Sequence, residues 1–126
     1  MKGKQQIVVE LPYPDRRLSP NARVHRLVKA EATTAARTLA KFTTKQKYAP
    51  SAFDGFLICK RYFHPPDRRH RDVDNMGAMC KSYQDGIFDA LELDDKMIVA
   101  TYNVRLEPKG EGSVTMKIER MNDEMG

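Results

Sequence analysis

Apolar positions along the chain follow two periods, one of two residues and one of three to four. Runs rich in β-branched and aromatic residues predict strands at 5–12, 52–64, 96–107 and 113–121. An amphipathic helix is predicted from residue 23 to about 42, because apolar residues recur at three-to-four spacing at Val24, Leu27, Val28, Ala32, Ala35, Leu39 and Phe42. A second helix is predicted from residue 74 to about 91.

The segments between these elements have the composition of loops and turns. Pro65 and Pro66 lack amide donors, which places HPPDRRHRD in a loop. LELDD is the predicted turn after the second helix, and PKGEG is the predicted hairpin turn between two antiparallel strands. The order β-α-β-α-β-β predicts an α+β fold, with residues 1–126 forming a single small domain of two main helices on a mixed sheet.

Size and composition are consistent with one folded domain. The chain has 126 residues, of which 40% are hydrophobic. It contains no apolar run of the roughly 20 residues that a membrane span needs, and residues 1–12 lack the long apolar segment of a signal peptide. We therefore expect a cytoplasmic protein. Cys59 and Cys80 lack zinc-site spacing and are predicted to be buried thiols.

Charge is distributed unevenly along the chain. Residues 1–47 carry eleven Lys and Arg against three acids, residues 48–71 carry five against two, and residues 72–126 carry six against twelve. A basic first half and an acidic second half indicate a polyanionic partner that meets a site bearing carboxylates. The alternative is an ordinary soluble protein whose solvated charges are unevenly placed.

The stretch RRHRDVDNM places acids directly behind a basic run. Asp72 and Asp74 lie at the predicted entrance of the second helix, and Asp94 and Asp95 form a second pair after its exit. Carboxylates that converge repel one another unless a cation lies between them. Oxygen ligands suit Mg²⁺ or Mn²⁺, so these residues are candidate metal ligands.

The second predicted helix adds a lysine to this group. At about 100° per residue from Asp74, Lys81 falls near −20° and Asp85 near +20°, so that one stripe presents acid, lysine and acid. Gly77 and Gly86 each weaken the helix by up to about 1 kcal/mol relative to alanine, so packing must hold it.

Each of these residues also has an ordinary structural explanation. Asp72 or Asp74 suits a helix N-cap, and Asp94 and Asp95 suit a turn. Lys81 and Asp85 suit a surface ion pair one helical turn apart. Arg68, Arg69 and Arg71 suit a solvated basic run. An EF-hand starting at Asp72 is excluded, because Met76 and Tyr83 occupy its fifth and twelfth positions.

Together, DRRHRDVDN, Lys81, Asp85-Gly86-Ile87 and Leu93-Asp94-Asp95 resemble the RusA family of Holliday junction resolvases, which phages and prophages often carry. The resemblance is specific over residues 67–98. It implies that Asp72, Asp74 and Asp95, with Asp94 beside them, bind the metal, that Lys81 is the catalytic lysine, and that Arg69 belongs to a DNA-contacting run with Arg68 and Arg71. The lysine departs from the best-known member, since it lies seven residues beyond Asp74 rather than four.

The resemblance also implies an activity and an assembly. The expected protein is a homodimeric, Mg²⁺-dependent endodeoxyribonuclease that resolves four-way DNA junctions by paired nicks during recombination and repair. Two-fold symmetry suits such a substrate. Two alternatives are a catalytically silent junction-binding module and a nuclease for flaps or other branched DNA.

Overall fold

The computed structural model of the protein describes residues 6–50 and 55–121. Its strands are β1 (Gln6–Pro12), β2 (Leu57–His64), β3 (Ile98–Arg105) and β4 (Ser113–Arg120). Its helices are α1 (Arg26–Lys45), α2 (Val73–Ala78) and α3 (Lys81–Leu91). All four predicted strands are present, although residue 5 and residues 52–54 of the predicted ranges lie outside the described residues.

The strands form one mixed sheet in the order β1-β4-β2-β3. The central strand β4 is antiparallel to both β1 and β2, and β3 is parallel to β2. The strands β1, β2 and β3 therefore point the same way, and their carboxyl ends meet at one edge of the sheet. This confirms the predicted α+β class and the single small domain.

The helices cover one face of the sheet. Every second residue of β2 and β4 is buried, and the residues between them are half exposed. Phe63, Met116 and Ile118 on the covered face have no exposed surface, and Ile87 of α3 is equally buried. This alternation follows from the pleat, which sends successive side chains to opposite faces.

Both cysteines lie in this core as free thiols, as predicted. Burial raises the pKa of the Cys80 thiol to about 12. None of the helices in the described ranges is long and apolar enough to cross a membrane.

The prediction of a hairpin between β3 and β4 was wrong. These strands are not neighbours, because β4 lies between β1 and β2. The connection after β3 instead crosses the end of β2, where the Leu106 amide donates to the Phe63 carbonyl and the Lys109 amide donates to the Pro65 carbonyl. The helices between β2 and β3 bring the chain back parallel, as such crossovers do.

The predicted apolar face of α1 was right at Ala32 and wrong at its larger residues, which are exposed. Its buried residues are small, namely Ala32, Ala36, Ala40 and Thr44. Leu27 and Phe42, which belong to the predicted apolar face, are 68% and 62% exposed. The cause is close packing on α3, where a Cβ on Gly86 would lie 2.9 Å from the Ala40 Cβ. Large side chains do not fit at that separation.

The second predicted helix is interrupted. α2 ends at Ala78 and α3 begins at Lys81, while Cys80 adopts φ −92° and ψ 2°. At the break, the Gly77 carbonyl accepts from the Cys80 amide at 3.0 Å and from Arg61 Nη1 at 3.0 Å. The helical-wheel alignment of Asp74 with Lys81 therefore fails, because it assumed one continuous helix.

Candidate functional site

The basic loop after β2 holds its arginines in different environments. The Arg68 side chain is 82% exposed, and its guanidinium lies 3.4 Å from Glu107. The Arg71 side chain is only 18% exposed, and its Nη1 donates to Asp67 Oδ1 at 2.8 Å. The Arg71 guanidinium also lies 5.6 Å from the centre of the Tyr13 ring. Arg71 is thus built into the loop, whereas Arg68 extends into solvent.

Asp67 organises this loop. Its Oδ1 also accepts a hydrogen bond from the Arg69 amide at 2.9 Å, and the Arg69 carbonyl accepts one from Arg105 Nη2 at 2.9 Å. The hydrogen bond from Arg71 holds the pKa of the Asp67 carboxyl below its usual range. The three arginines singled out in the sequence therefore lie in one loop that is bonded to the end of β3.

Asp72 and Asp74 lie at the start of α2. Asp72 Oδ1 accepts from the Asp74 amide at 2.9 Å, so Asp72 caps the helix. This bond uses one oxygen of the carboxylate. The side chain of Asp74 is exposed and makes no hydrogen bond or ion pair with the part of the chain that the structure describes.

Lys81 at the start of α3 connects two acids. Its ammonium donates to Asp85 Oδ1 at 2.7 Å and to Asp95 Oδ2 at 3.3 Å. The hydrogen bond to Asp85 is the main cause that raises the pKa of Lys81. Lys81 is therefore an ammonium at neutral pH, and the structure brings it together with one of the predicted metal ligands.

The second acidic pair lies in a short 3₁₀ turn over Asp95–Met97. Asp94 caps the turn, with Oδ1 accepting from the Lys96 amide at 2.9 Å. Both acids line an open cavity of about 490 Å³, to which Asp89 and Glu92 also contribute. Asp94 therefore has the turn role considered for it, and it also belongs to an acidic surface.

The predicted metal ligands have suitable chemistry for a hard cation. Exposed carboxylate oxygens are the donors that Mg²⁺ and Mn²⁺ prefer. Within residues 6–50 and 55–121, no three His, Cys, Asp or Glu side chains form a group that could hold a metal ion. Asp72 lines one cavity and Asp95 lines another, so the predicted convergence is not found in this arrangement.

Two residues of the cavity that Asp72 lines were not predicted from the sequence. Tyr13 and Arg16, which follow β1 in the chain, line a space of about 460 Å³ together with Arg69, Arg71 and Asp72. Only the sheet order could have revealed this, because β1 and β2 are separated by β4 but end at the same edge.

The buried Arg61 was also missed. It is 8% exposed, and its guanidinium donates to Gln84 Oε1 at 2.6 Å and to Asn103 Oδ1 at 3.3 Å. With its bond to the Gly77 carbonyl, Arg61 ties α2, α3 and β3 to β2. The alternation of β2 could have indicated it, since position 61 shares the inward face with Cys59 and Phe63.

These features define a small α+β protein with an arginine-lined cavity at one edge of its sheet and a separate acidic surface. Over 118 residues, the chain is 36% identical to an uncharacterized protein of Xylella fastidiosa, and the match covers 91% of this chain and 77% of that protein. The chain therefore belongs to the same family as the Xylella protein. No family model matches the chain.

Proposed function

We propose that the protein is a Mg²⁺-dependent endodeoxyribonuclease that resolves four-way DNA junctions by paired nicks during recombination and repair. The observation that carries the proposal is the position of Asp72, whose carboxylate borders a cavity lined by arginines. Guanidinium groups bind phosphates, and carboxylates beside a bound phosphate suit a divalent cation. The resemblance of residues 67–98 to RusA resolvases supports the same activity.

The basic side chains bind and orient the DNA in this proposal. Arg68 and Arg69 contact backbone phosphates from the loop after β2. Arg71 holds the loop in shape through Asp67, as its 2.8 Å bond to that residue indicates. Phosphate contacts of this kind position DNA without reading its sequence, and they weaken as salt concentration rises.

The acidic residues are the proposed metal ligands. Asp72 and Asp74 would hold Mg²⁺, with Mn²⁺ as a substitute, and Asp95, with Asp94 beside it, would complete the set, although Asp72 and Asp95 line different cavities in the structure. When bound, Mg²⁺ lowers the pKa of water and offsets negative charge at the phosphorus. Asp72 retains one carboxylate oxygen for this role, because only Oδ1 is used in capping α2.

Lys81 is the proposed electrostatic catalyst. Its raised pKa keeps it protonated, so it donates a hydrogen bond to the leaving oxygen and does not act as a base. Its present partners, Asp85 and Asp95, hold the ammonium beside a proposed metal ligand.

A homodimer in the cytoplasm of a bacterial or phage-infected cell completes the proposal. Two copies related by a two-fold axis suit paired nicks in opposing strands. The two competing proposals are a DNA-binding module without catalysis and a nuclease for flaps or other branched DNA.

The test is a nicking assay on an end-labelled four-way junction, a flap and a linear duplex, each with Mg²⁺ or with EDTA. Symmetric nicks that occur only on the junction and only with Mg²⁺ support junction resolution. Preferred cutting of the flap supports the branched-DNA nuclease. Junction binding without cutting in either Mg²⁺ or Mn²⁺ contradicts the nuclease and supports the binding module.

A further inference from the structure

The cavity beside Asp72 lies between two loops at one edge of the sheet. The loop after β1 contributes Tyr13 and Arg16, and the loop after β2 contributes Arg69 and Arg71. Its volume of about 460 Å³ is within the range of pockets that bind small molecules or parts of larger ones.

One wall of this cleft is a fixed planar cation. The Arg71 Nη1 donates to Asp67 Oδ1 at 2.8 Å and to the Arg69 carbonyl at 3.1 Å, while the guanidinium covers the Tyr13 ring. Tyr13 in turn meets Phe63 edge to face, with ring centres 6.4 Å apart. Because its charge is already paired with Asp67, Arg71 offers a flat stacking surface more readily than a phosphate contact.

The other surfaces of the cleft divide into apolar and cationic parts. Met76 and Met79 are 2% and 8% exposed and form its apolar lining. Arg16 and Arg69 make no ion pair with any described side chain, so their guanidinium groups are available to anions. The cleft therefore combines a stacking plane, an apolar lining and two cations beside a single carboxylate, that of Asp72.

We propose that this cleft binds one unpaired nucleotide of the DNA strand, with its base against Arg71 and the methionines and its phosphates on Arg16 and Arg69. The inference rests on the proposed nuclease function and adds how the substrate is selected. Bases stack on arginine planes when they leave a helix, and a paired base inside a duplex is not free to do so. A four-way junction is fully paired, so the cleft favours a branch point at which one base leaves its pair, and it places that nucleotide beside Asp72.

The test changes the DNA and leaves the protein intact. Binding is measured in EDTA, without cutting, to a labelled branched duplex with one unpaired thymidine at the branch and to the same duplex with an abasic residue there. Both DNAs carry the same phosphates, so any difference comes from the base. The wild-type protein is expected to bind the abasic DNA about tenfold more weakly, because the abasic residue cannot stack on the protein.

Two variants test whether Arg71 causes this difference in affinity between the two DNAs. Arg71→Lys keeps the positive charge but removes the plane, and it is expected to bind both DNAs alike. Arg120→Lys, at the opposite end of the sheet, should keep the tenfold preference. The affinities of the wild-type protein for the two DNAs test the inference even if Arg71→Lys does not fold.

Three results overturn the inference. If wild type binds the two DNAs within twofold, the cleft does not hold a base, although the nuclease proposal stands. If free thymidine monophosphate displaces the DNA as well as a competing oligonucleotide does, the cleft is a site for a free nucleotide. If the protein binds neither DNA, the proposed function fails together with the inference.

Discussion

At the scale of single residues, Lys81 lies among acids as the sequence predicted, although Asp74 is not one of its partners. The sequence placed a lysine among acids, and the structure shows its ammonium between Asp85 and Asp95 at 2.7 and 3.3 Å. Asp85 is the surface ion-pair partner one helical turn along that the sequence offered as an ordinary explanation, and the same ammonium also reaches Asp95, a proposed metal ligand. The main effect of Asp85 on Lys81 is the raised pKa, which keeps the group charged.

Replacing Lys81 with methionine is expected to lower the single-turnover nicking rate by about 10²- to 10³-fold, because a donor to the developing charge is lost. Junction affinity should change little, since the ammonium is already paired with two acids. Lys81→Arg should recover part of the rate. A methionine variant that nicks at the wild-type rate would remove Lys81 from the mechanism.

At the scale of elements, the contact between α1 and α3 is formed by small residues. An added Cβ at Gly86 would lie 2.9 Å from the Ala40 Cβ and 3.0 Å from the Lys41 amide nitrogen. Both positions belong to α1, which would have to move away from α3. Glycine is therefore required here despite its low helix propensity.

Gly86→Ala is expected to destabilise the protein by about 1–3 kcal/mol, as overpacking of a tight interface does. The gain of roughly 1 kcal/mol in helix propensity does not offset this, since the nearest atoms include backbone. Urea denaturation measures the free energy of unfolding. Thr38→Ala on the exposed side of α1 is the control, and it should stay within about 0.5 kcal/mol of wild type. An alanine variant as stable as wild type would contradict the close packing.

An ion pair also joins α1 to α3. Arg37 Nε and Nη2 donate to the two carboxylate oxygens of Asp89, the second at 2.9 Å. The hydrogen bond from Arg37 is the main cause that lowers the pKa of Asp89 below its ordinary value of 3.8. A lowered pKa stabilises the fold above the ordinary value, and this stabilisation is lost as pH falls through the lowered one.

Asp89→Asn is therefore expected to be less stable than wild type at pH 7 and to approach it as the pH falls below about 4. The difference at pH 7 should be small, because both side chains are partly exposed. Thermal denaturation of the two proteins from pH 7 to pH 2 measures it. A difference that is constant with pH would show that the ion pair is not its cause.

The sequence predicted elements better than it predicted their arrangement. Runs of β-branched and aromatic residues identified the four strands, because such side chains suit a pleated, half-buried surface. The face of α1 was mistaken because burial there depends on how closely α3 approaches at Gly86. The break at Cys80 was missed because the apolar periodicity continues through it, while the hydrogen bond from Arg61 to the Gly77 carbonyl at the break comes from another strand.

The candidate site was also predictable only in part, because some of its residues are close in the sequence and others are brought together only by the fold. Asp72 and Asp74 lie together at the start of α2, as their spacing predicts, but their expected convergence with Asp94 and Asp95 is not found among the described residues. Lys81 and Asp95 were also brought together. Tyr13 and Arg16 were not expected at this site, since only the order of the strands places their loop beside the loop after β2.

At the scale of the whole molecule, the uneven charge of the sequence is only partly reflected in the surface, since Asp72 of the acidic half borders the arginine-lined cavity and Arg37 of the basic half lines the acidic one. The basic half supplies Arg16 to the cavity bordered by Asp72, and the acidic half supplies Asp94 and Asp95 to a second cavity. Because β1, β2 and β3 run in the same direction, the loops that line the cavity bordered by Asp72 lie at the same edge of the sheet. Ligands commonly bind beyond the carboxyl ends of parallel strands.

The decisive experiment for the proposed nuclease compares wild type with Asp72→Asn in nicking a four-way junction with Mg²⁺. Glu10→Gln, an exposed acid on β1, is the matched control for loss of one negative charge. We predict symmetric nicks by wild type and Glu10→Gln, and binding without nicks by Asp72→Asn. Nicking by Asp72→Asn at the wild-type rate would contradict the proposed role of the carboxylate beside the arginine-lined cavity.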